Sequence, residues 1–372
     1  MIKVKSSILV ISLCMIFVFG LSLGYLGSEF TESELILINN EKKILSNSID
    51  NESIKNLKID NYINFNNESE IYEKRTELLN FIWNDDNLPD ILPNSVQNDF
   101  EDSRFDNLEN LKKIEKLEII MKHEIKSYPY IFFPEQSNGN LILFHQGHSG
   151  GFINSKSTIQ SFLNSGFTVA AFSMPLIGMN NQPLVEIEHL GHVKIFKHDQ
   201  LILLETEDFT SMNYFFTPVN TTLNYLEKNY SFEEFHMIGI SGGGWVTTVY
   251  PAIDTRITKS FSVAGSLPLS LRIISDDVGD FEQYNPNFYS ISNYFELYVM
   301  SSFGENREFT QIFNKYDPCC FAGEISKIYH DQMNEYVSNL SSGSFKIIID
   351  DSHSEHKISD KMISLIIDQT LS

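Results

Sequence analysis

Phe235-His236-Met237-Ile238-Gly239-Ile240-Ser241-Gly242-Gly243-Gly244 is the stretch on which the fold turns. Its first half is apolar and short, as a buried strand should be. Its second half satisfies G-x-S-x-G, with the pattern sitting between that strand and a helix that starts near Gly243. A serine that must act as a nucleophile has to project from a sharp strand-to-helix turn. Such a turn needs small residues two positions before and after it, because side chains there would strike neighbouring backbone. Gly242 leaves its N–H free to face a developing oxyanion, and the helix start adds the positive end of a dipole. The plainer alternative is a glycine-rich turn that only caps a helix. The strand before the turn and the alternation around it favour the nucleophile.

Outward from this turn, apolar strand candidates and helical segments alternate. Strands are expected at Leu117–Met121, Tyr128–Phe133, Leu141–Phe144, Phe167–Phe172, Ser260–Ala264, Phe309–Phe313 and Phe345–Ile349. Helices are expected from Tyr72 to Trp83, over Ser157–Asn164 and Asn213–Lys228, and over Ser359–Leu371 with Ser359 as N-cap. Strands apolar on both faces and separated by helices imply an α/β fold with a mostly parallel sheet and helices on both sides. Two irregular insertions, at about 180–212 and 268–300, are expected over the carboxyl ends of the strands, where ligands bind in such sheets.

The segment Gly239–Arg256 (GISGGGWVTTVYPAIDTR) resembles the nucleophile elbow and following helix of the α/β-hydrolase superfamily. The resemblance is to its serine-esterase branch, which includes dienelactone-hydrolase-like and acetyl-xylan-esterase-like proteins, and it spans about residues 110–372. Pro251 departs from the pattern and should end or kink the helix there. The resemblance implies a second oxyanion donor just after an earlier strand, where members often carry H-G-x-G or H-G-G-G. Here that run reads His145-Gln146-Gly147-His148-Ser149-Gly150-Gly151. The amide of His148 is favoured, with that of Gly147 second. His145-x-x-His148 also suggests a metal, but no third ligand is spaced to match, so no metal is expected and no cofactor is implied.

A serine nucleophile needs a base, and the base needs an orienting acid. The fold's chain order is Ser, acid, His. Of ten histidines only His330, His353 and His356 follow Ser241. His330 lies in a polar helical stretch and reads as a surface residue. His353 and His356 share the loop between the last strand and the last helix. His356-Lys357-Ile358-Ser359 resembles the His-x-Ile-Ser of carboxylesterase-like members, so His356 is preferred and His353 is the alternative. Asp317, in an Asp-Pro turn after a strand, is the expected acid. Asp350 and Asp351 are rivals on the histidine's own loop.

Composition narrows the function classes. The 372 residues are 42% hydrophobic and carry a formal net charge of -22, which repels phosphate backbones and excludes a nucleic-acid partner. Three cysteines exclude a disulfide scaffold. Cys319 and Cys320 are adjacent, and two small buried thiols are expected rather than a bridge. Asp280, Glu282 and the aromatics Phe281, Tyr284, Phe288, Tyr289 and Tyr294 fall in the second insertion. The aromatics are expected to form lid core before a ligand platform. Lys3 and Lys5 precede an apolar run from Ile8 to Leu26, so residues 1–27 read as a signal peptide or a single-pass membrane anchor, which places the rest outside the cytoplasm. A polar stalk is expected over 28–70 and the hydrolase domain over 71–372. The expected function is an exported serine hydrolase acting on a small-molecule carboxylic ester through an acyl-enzyme, with no protein partner evident. A serine peptidase and a non-catalytic surface binding protein are the alternatives.

Overall fold

Leu141–His145 and Phe235–Ile240 are buried along almost their whole length and lie side by side near the middle of a ten-stranded sheet. The structure is a computed structural model and describes residues 56–275 and 278–372. In chain order the strands are β1 (Ser95–Gln97), β2 (Leu111–Ile120), β3 (Lys126–Ser127), β4 (Tyr130–Pro134), β5 (Leu141–His145) and β6 (Thr168–Phe172). They continue as β7 (Leu184–Ile187), β8 (Gly191–Lys194), β9 (Phe235–Ile240), β10 (Ile257–Val263), β11 (Glu308–Asn314) and β12 (Ser344–Asp350). The main sheet runs β1-β2-β4-β6-β5-β9-β10-β11-β12, with β3 beside β2. All pairs from β6 to β12 are parallel, and those from β1 to β4 and on to β6 are antiparallel. The fold is therefore α/β with a mostly parallel sheet, as the alternation implies.

The helices are α1 (Glu68–Trp83), α2 (Lys156–Asn164), α3 (Asn213–Asn229), α4 (Gly242–Ile253) and α5 (Leu269–Ser275). After these come α6 (Phe281–Tyr284), α7 (Pro286–Ile291), α8 (Tyr294–Ser302), α9 (Lys327–Leu340) and α10 (Asp360–Thr370). On one face Ile142, Phe144, Val169, Ile238 and Phe261 pack against Phe162 of α2 and Ile363 of α10. Leu143 and Met237 alternate to the opposite face, where α4 and its buried Trp245 lie. Ser359 caps α10, its hydroxyl accepting from the Met362 amide at 3.1 Å. Helix α4 runs two residues past Pro251 to Ile253. Its last carbonyls are taken up by buried arginines: Arg307 donates to Pro251 at 2.5 Å and Arg75 to Ala252 at 2.9 Å.

The packed region starts earlier than the polar composition suggests. Residues 56–70 are part of the same compact unit as the sheet, so the expected stalk boundary at 70 is corrected. Ile59, Ile63 and Phe65 are buried there. The backbone is tied down as well, with Tyr336 donating to Phe65 O at 2.5 Å and the Asn64 amide to Glu296 at 3.0 Å. A few apolar side chains anchored between α8 and α9 need no regular period, which is why pattern reading misses them. The signal or anchor segment at 1–27 and the stalk from 28 to 55 lie outside the described residues. Among the described residues no helix is long and apolar enough to cross a membrane.

Candidate active site

Ser241 stands between β9 and α4 with φ +57° and ψ −128°, a conformation that L residues seldom adopt. Its amide donates to Val263 O on β10 at 2.9 Å, which fixes the turn to the sheet. The neighbouring glycines are there for contact distance. A Cβ on Gly243 would lie 2.0 Å from the His145 carbonyl oxygen, and one on Gly147 would lie 2.5 Å from Ser241 Cβ. The loop after β5 is thus pressed directly against the serine. Gly242 opens α4, so its N–H has no intrahelical acceptor.

His356 faces the same cavity, a space of about 350 Å³ lined among others by Ser241, His148, Asp280, Gln283 and Phe321. Its Nδ1 meets the Asp317 carboxylate at 2.8 and 3.0 Å. That leaves Nε2 as the ring atom available to a substrate or a nucleophile. Asp317 is further held by the amides of Cys319 at 2.8 Å and Cys320 at 3.1 Å and by Asn314 Nδ2 at 3.0 Å. Burial pushes its carboxyl up, but the His356 ring and the two amides outweigh this and leave it below the usual carboxylate range.

The structure separates the two loop histidines. His353 Nε2 lies 3.3 Å from Asp350 Oδ2, inside a local network in which Asp350 also accepts from Ser352 and Ser359. Asp350 is therefore engaged away from His356. Asp351 lies 3.6 Å from Lys361. His330 sits by the edge of β12, where its Nε2 accepts weakly from Ile347 N at 3.4 Å.

Two expectations are corrected here. Cys319 and Cys320 are joined as a vicinal disulfide and are not buried thiols: Cys319 is exposed and Cys320 half-buried. Both amides point at Asp317, which holds the pair at a surface turn beside the cavity instead of in the core. His148 does come together with further potential ligands, and His145 is not one of that group. His145 is buried and stacked on Phe172, its Nδ1 against the Gln146 carbonyl at 2.9 Å. His148 instead meets His198, Asp280 and Glu282, side chains from both insertions. His198 carries no sequence signal, since no repeated spacing links it to any of the other three. Most aromatics of the second insertion are core: Phe281, Phe288 and Tyr294 are buried, and Tyr289 bonds Trp245 Nε1 and Tyr294 at 2.7 Å each, whereas Tyr284 is exposed. Sequence reading also misses Phe321, Gln283 and Ala264 as cavity walls.

Burial pushes His145 down to about 4 from an ordinary value of 6.5. The unfolded chain therefore binds a proton between these values that the folded chain refuses, and stability falls as pH drops through that window. The expected loss at His145 grows to on the order of 3 kcal/mol by about pH 4. Urea midpoints between pH 7 and 4 test this, and a His145→Gln chain that still folds should show a shallower decline.

No family model matches the chain, and no curated protein sequence matches it. Solved structures do. The acetyl xylan esterase 1 of Thermoanaerobacterium sp. superposes with a TM-score of 0.55 at 13% identity, over 87% of this chain and 98% of its own. The acetyl xylan esterase of Paenibacillus sp. R4 gives 0.55 at 14% identity, over 87% and 99%. The chain has the α/β-hydrolase fold. Within this fold, Ser241 occupies the turn after the central strand β9, and Asp317 and His356 follow the last two strands. All three lie at the carboxyl ends of parallel strands, where open α/β sheets bind ligands.

Proposed function

We propose that the chain is a serine hydrolase that cleaves carboxylic esters with a short acyl group. The reading rests on one observation: Ser241, in strained backbone on the elbow, and His356, its Nδ1 held by Asp317, open onto one cavity. Ser241 Oγ attacks the acyl carbon while His356 Nε2 takes its proton, and the ionised Asp317 stabilises the imidazolium. The amides of Gly242 and of His148 or Gly147 receive the negative oxygen of the tetrahedral intermediate. His356 then gives its proton to the departing alkoxide, which leaves an acyl-enzyme. Water, deprotonated by the same ring, releases the acid and restores Ser241. The two neighbours of the same fold are named acetyl xylan esterases, which favours a short acyl group such as acetyl. The test is labelling of the full chain by a fluorophosphonate probe together with hydrolysis of p-nitrophenyl acetate. A chain that takes no label and cleaves no short ester overturns the reading and leaves a binding protein on the same fold.

Export is part of the proposal and rests on Lys3, Lys5 and the apolar run Ile8–Leu26. The protein is expected outside the cytoplasm, either with a new N-terminus near Tyr25 or membrane-bound with Met1 intact. Fractionation with N-terminal sequencing distinguishes the two, and full-length protein recovered from the soluble cytoplasm refutes both.

A further inference from the structure

We propose that His148, His198, Asp280 and Glu282 bind a divalent transition-metal ion, Zn²⁺ fitting best, on the wall of the cavity that holds Ser241. The four side chains come from the loop after β5, from the first insertion, and from the second insertion at the start of α6. Their ligand atoms all lie within 4.8 Å of one another. The separations are 3.0 Å for His148 Nε2 to His198 Nδ1, 2.9 Å for His148 Nε2 to Glu282 Oε1, and 3.0 Å for His198 Nδ1 to Glu282 Oε1. Asp280 Oδ2 is 3.2 Å from His148 Nε2. Ligands bonded at about 2.0–2.1 Å to a tetrahedral centre stand about 3.3 Å apart, so each of these four separations needs only a few tenths of an ångström of change around an ion.

Protons alone do not satisfy this arrangement. His198 Nε2 faces the Pro175 carbonyl at 2.9 Å, so that nitrogen carries a hydrogen. In a neutral ring Nδ1 then holds a lone pair, which would point at the carboxylate Oε1 of Glu282. If Nδ1 is protonated as well, it can donate to Glu282, but its contact with His148 then works only if His148 Nε2 lacks a hydrogen. His148 Nε2 would in that case present a lone pair to two carboxylates, at 2.9 and 3.2 Å. Each assignment leaves at least one close pair of like partners, whereas a cation placed among the four atoms turns every contact into a ligand pair. The bond from His198 Nε2 to a backbone carbonyl is also the outer support that metal-bound imidazoles usually have.

Glu282 adds an independent indication. It is wholly buried, and its Oε2 has no hydrogen-bond partner among the described residues. A buried carboxylate oxygen left so costs free energy unless a cation balances it. Two imidazoles and two carboxylates suit zinc by donor type and number, and they are poor ligands for Ca²⁺, which prefers six or more oxygens.

Zn²⁺ alone is the probe, added to the purified full chain. After dialysis, elemental analysis should find about one zinc per chain. The melting temperature should rise by about 4 °C at a hundredfold excess over Kd and fall again with EDTA. Co²⁺ in its place should give the visible absorption of a four-coordinate site. Glu282→Gln keeps the shape and should weaken Zn²⁺ binding by at least about 10-fold, whereas the exposed His189→Ala should leave it unchanged. If Glu282→Gln does not fold, the half-exposed Asp280→Asn carries the same expectation. No uptake with no thermal shift overturns the proposal and leaves an imidazolium–carboxylate cluster. So does zinc binding that neither substitution weakens. Fluorophosphonate labelling read on the same samples keeps this outcome separate from that for the serine.

Discussion

Ser241→Ala should abolish fluorophosphonate labelling and lower kcat for p-nitrophenyl acetate by about 10⁴–10⁶, the usual cost of removing a member of such a triad. Folding should survive, because the serine hydroxyl contributes little packing at a turn held by the Ser241 amide to Val263 and by the adjacent glycines. Circular dichroism and the urea midpoint establish that point. The strained φ of +57° should relax little with alanine, which has a Cβ of its own. A loss of only a few fold, or label recovered on another serine, would place the nucleophile elsewhere.

His356→Ala should cost at least about 10³-fold in kcat, as expected for loss of the base, while His353→Ala should cost under about 10-fold. The difference follows from partners. His356 is held by Asp317, and its other nitrogen opens onto the cavity, whereas His353 is turned toward Asp350. Losing His353 disturbs a loop that Ser352 and Ser359 also tie to Asp350. The reverse order of effects would move the base to His353 and take the role of Asp317 with it.

The elbow could be read from sequence because its demands are local. One strand, one turn and four glycines lie within ten residues, and the close contacts a Cβ would make at Gly239, Gly242, Gly243 and Gly244 show why. That Asp317 and His356 meet beyond the last two parallel strands is also legible, since each lies in the loop that follows its strand. The strands of the parallel half announced themselves by continuous apolar runs. What escaped depends on long-range closure. The packing of residues 56–70 and the meeting of His148 with His198 and Glu282 join segments far apart in the chain with no shared period. The bridge between Cys319 and Cys320 escaped for a different reason: whether the turn is drawn outward depends on Asp317 capping both amides.

The pairing of β5 with β9 also has a bearing on how the chain is made. Leu141 of β5 lies against Phe235 of β9, so one half of the innermost pair is synthesised well before the other. At about 5–20 residues per second, β5 leaves the ribosome roughly 5–20 s ahead of the strand that covers its flank. During that interval Leu141-Ile142-Leu143-Phe144 is an uncharged apolar tetrapeptide with an open edge. Its partner on the other flank, β6, emerges sooner and can shield one side only. Nascent chains stalled between residues 180 and 230 should therefore engage holdase chaperones more strongly than chains stalled beyond the end of β10, and an exported form would have to be kept unfolded through that same stretch.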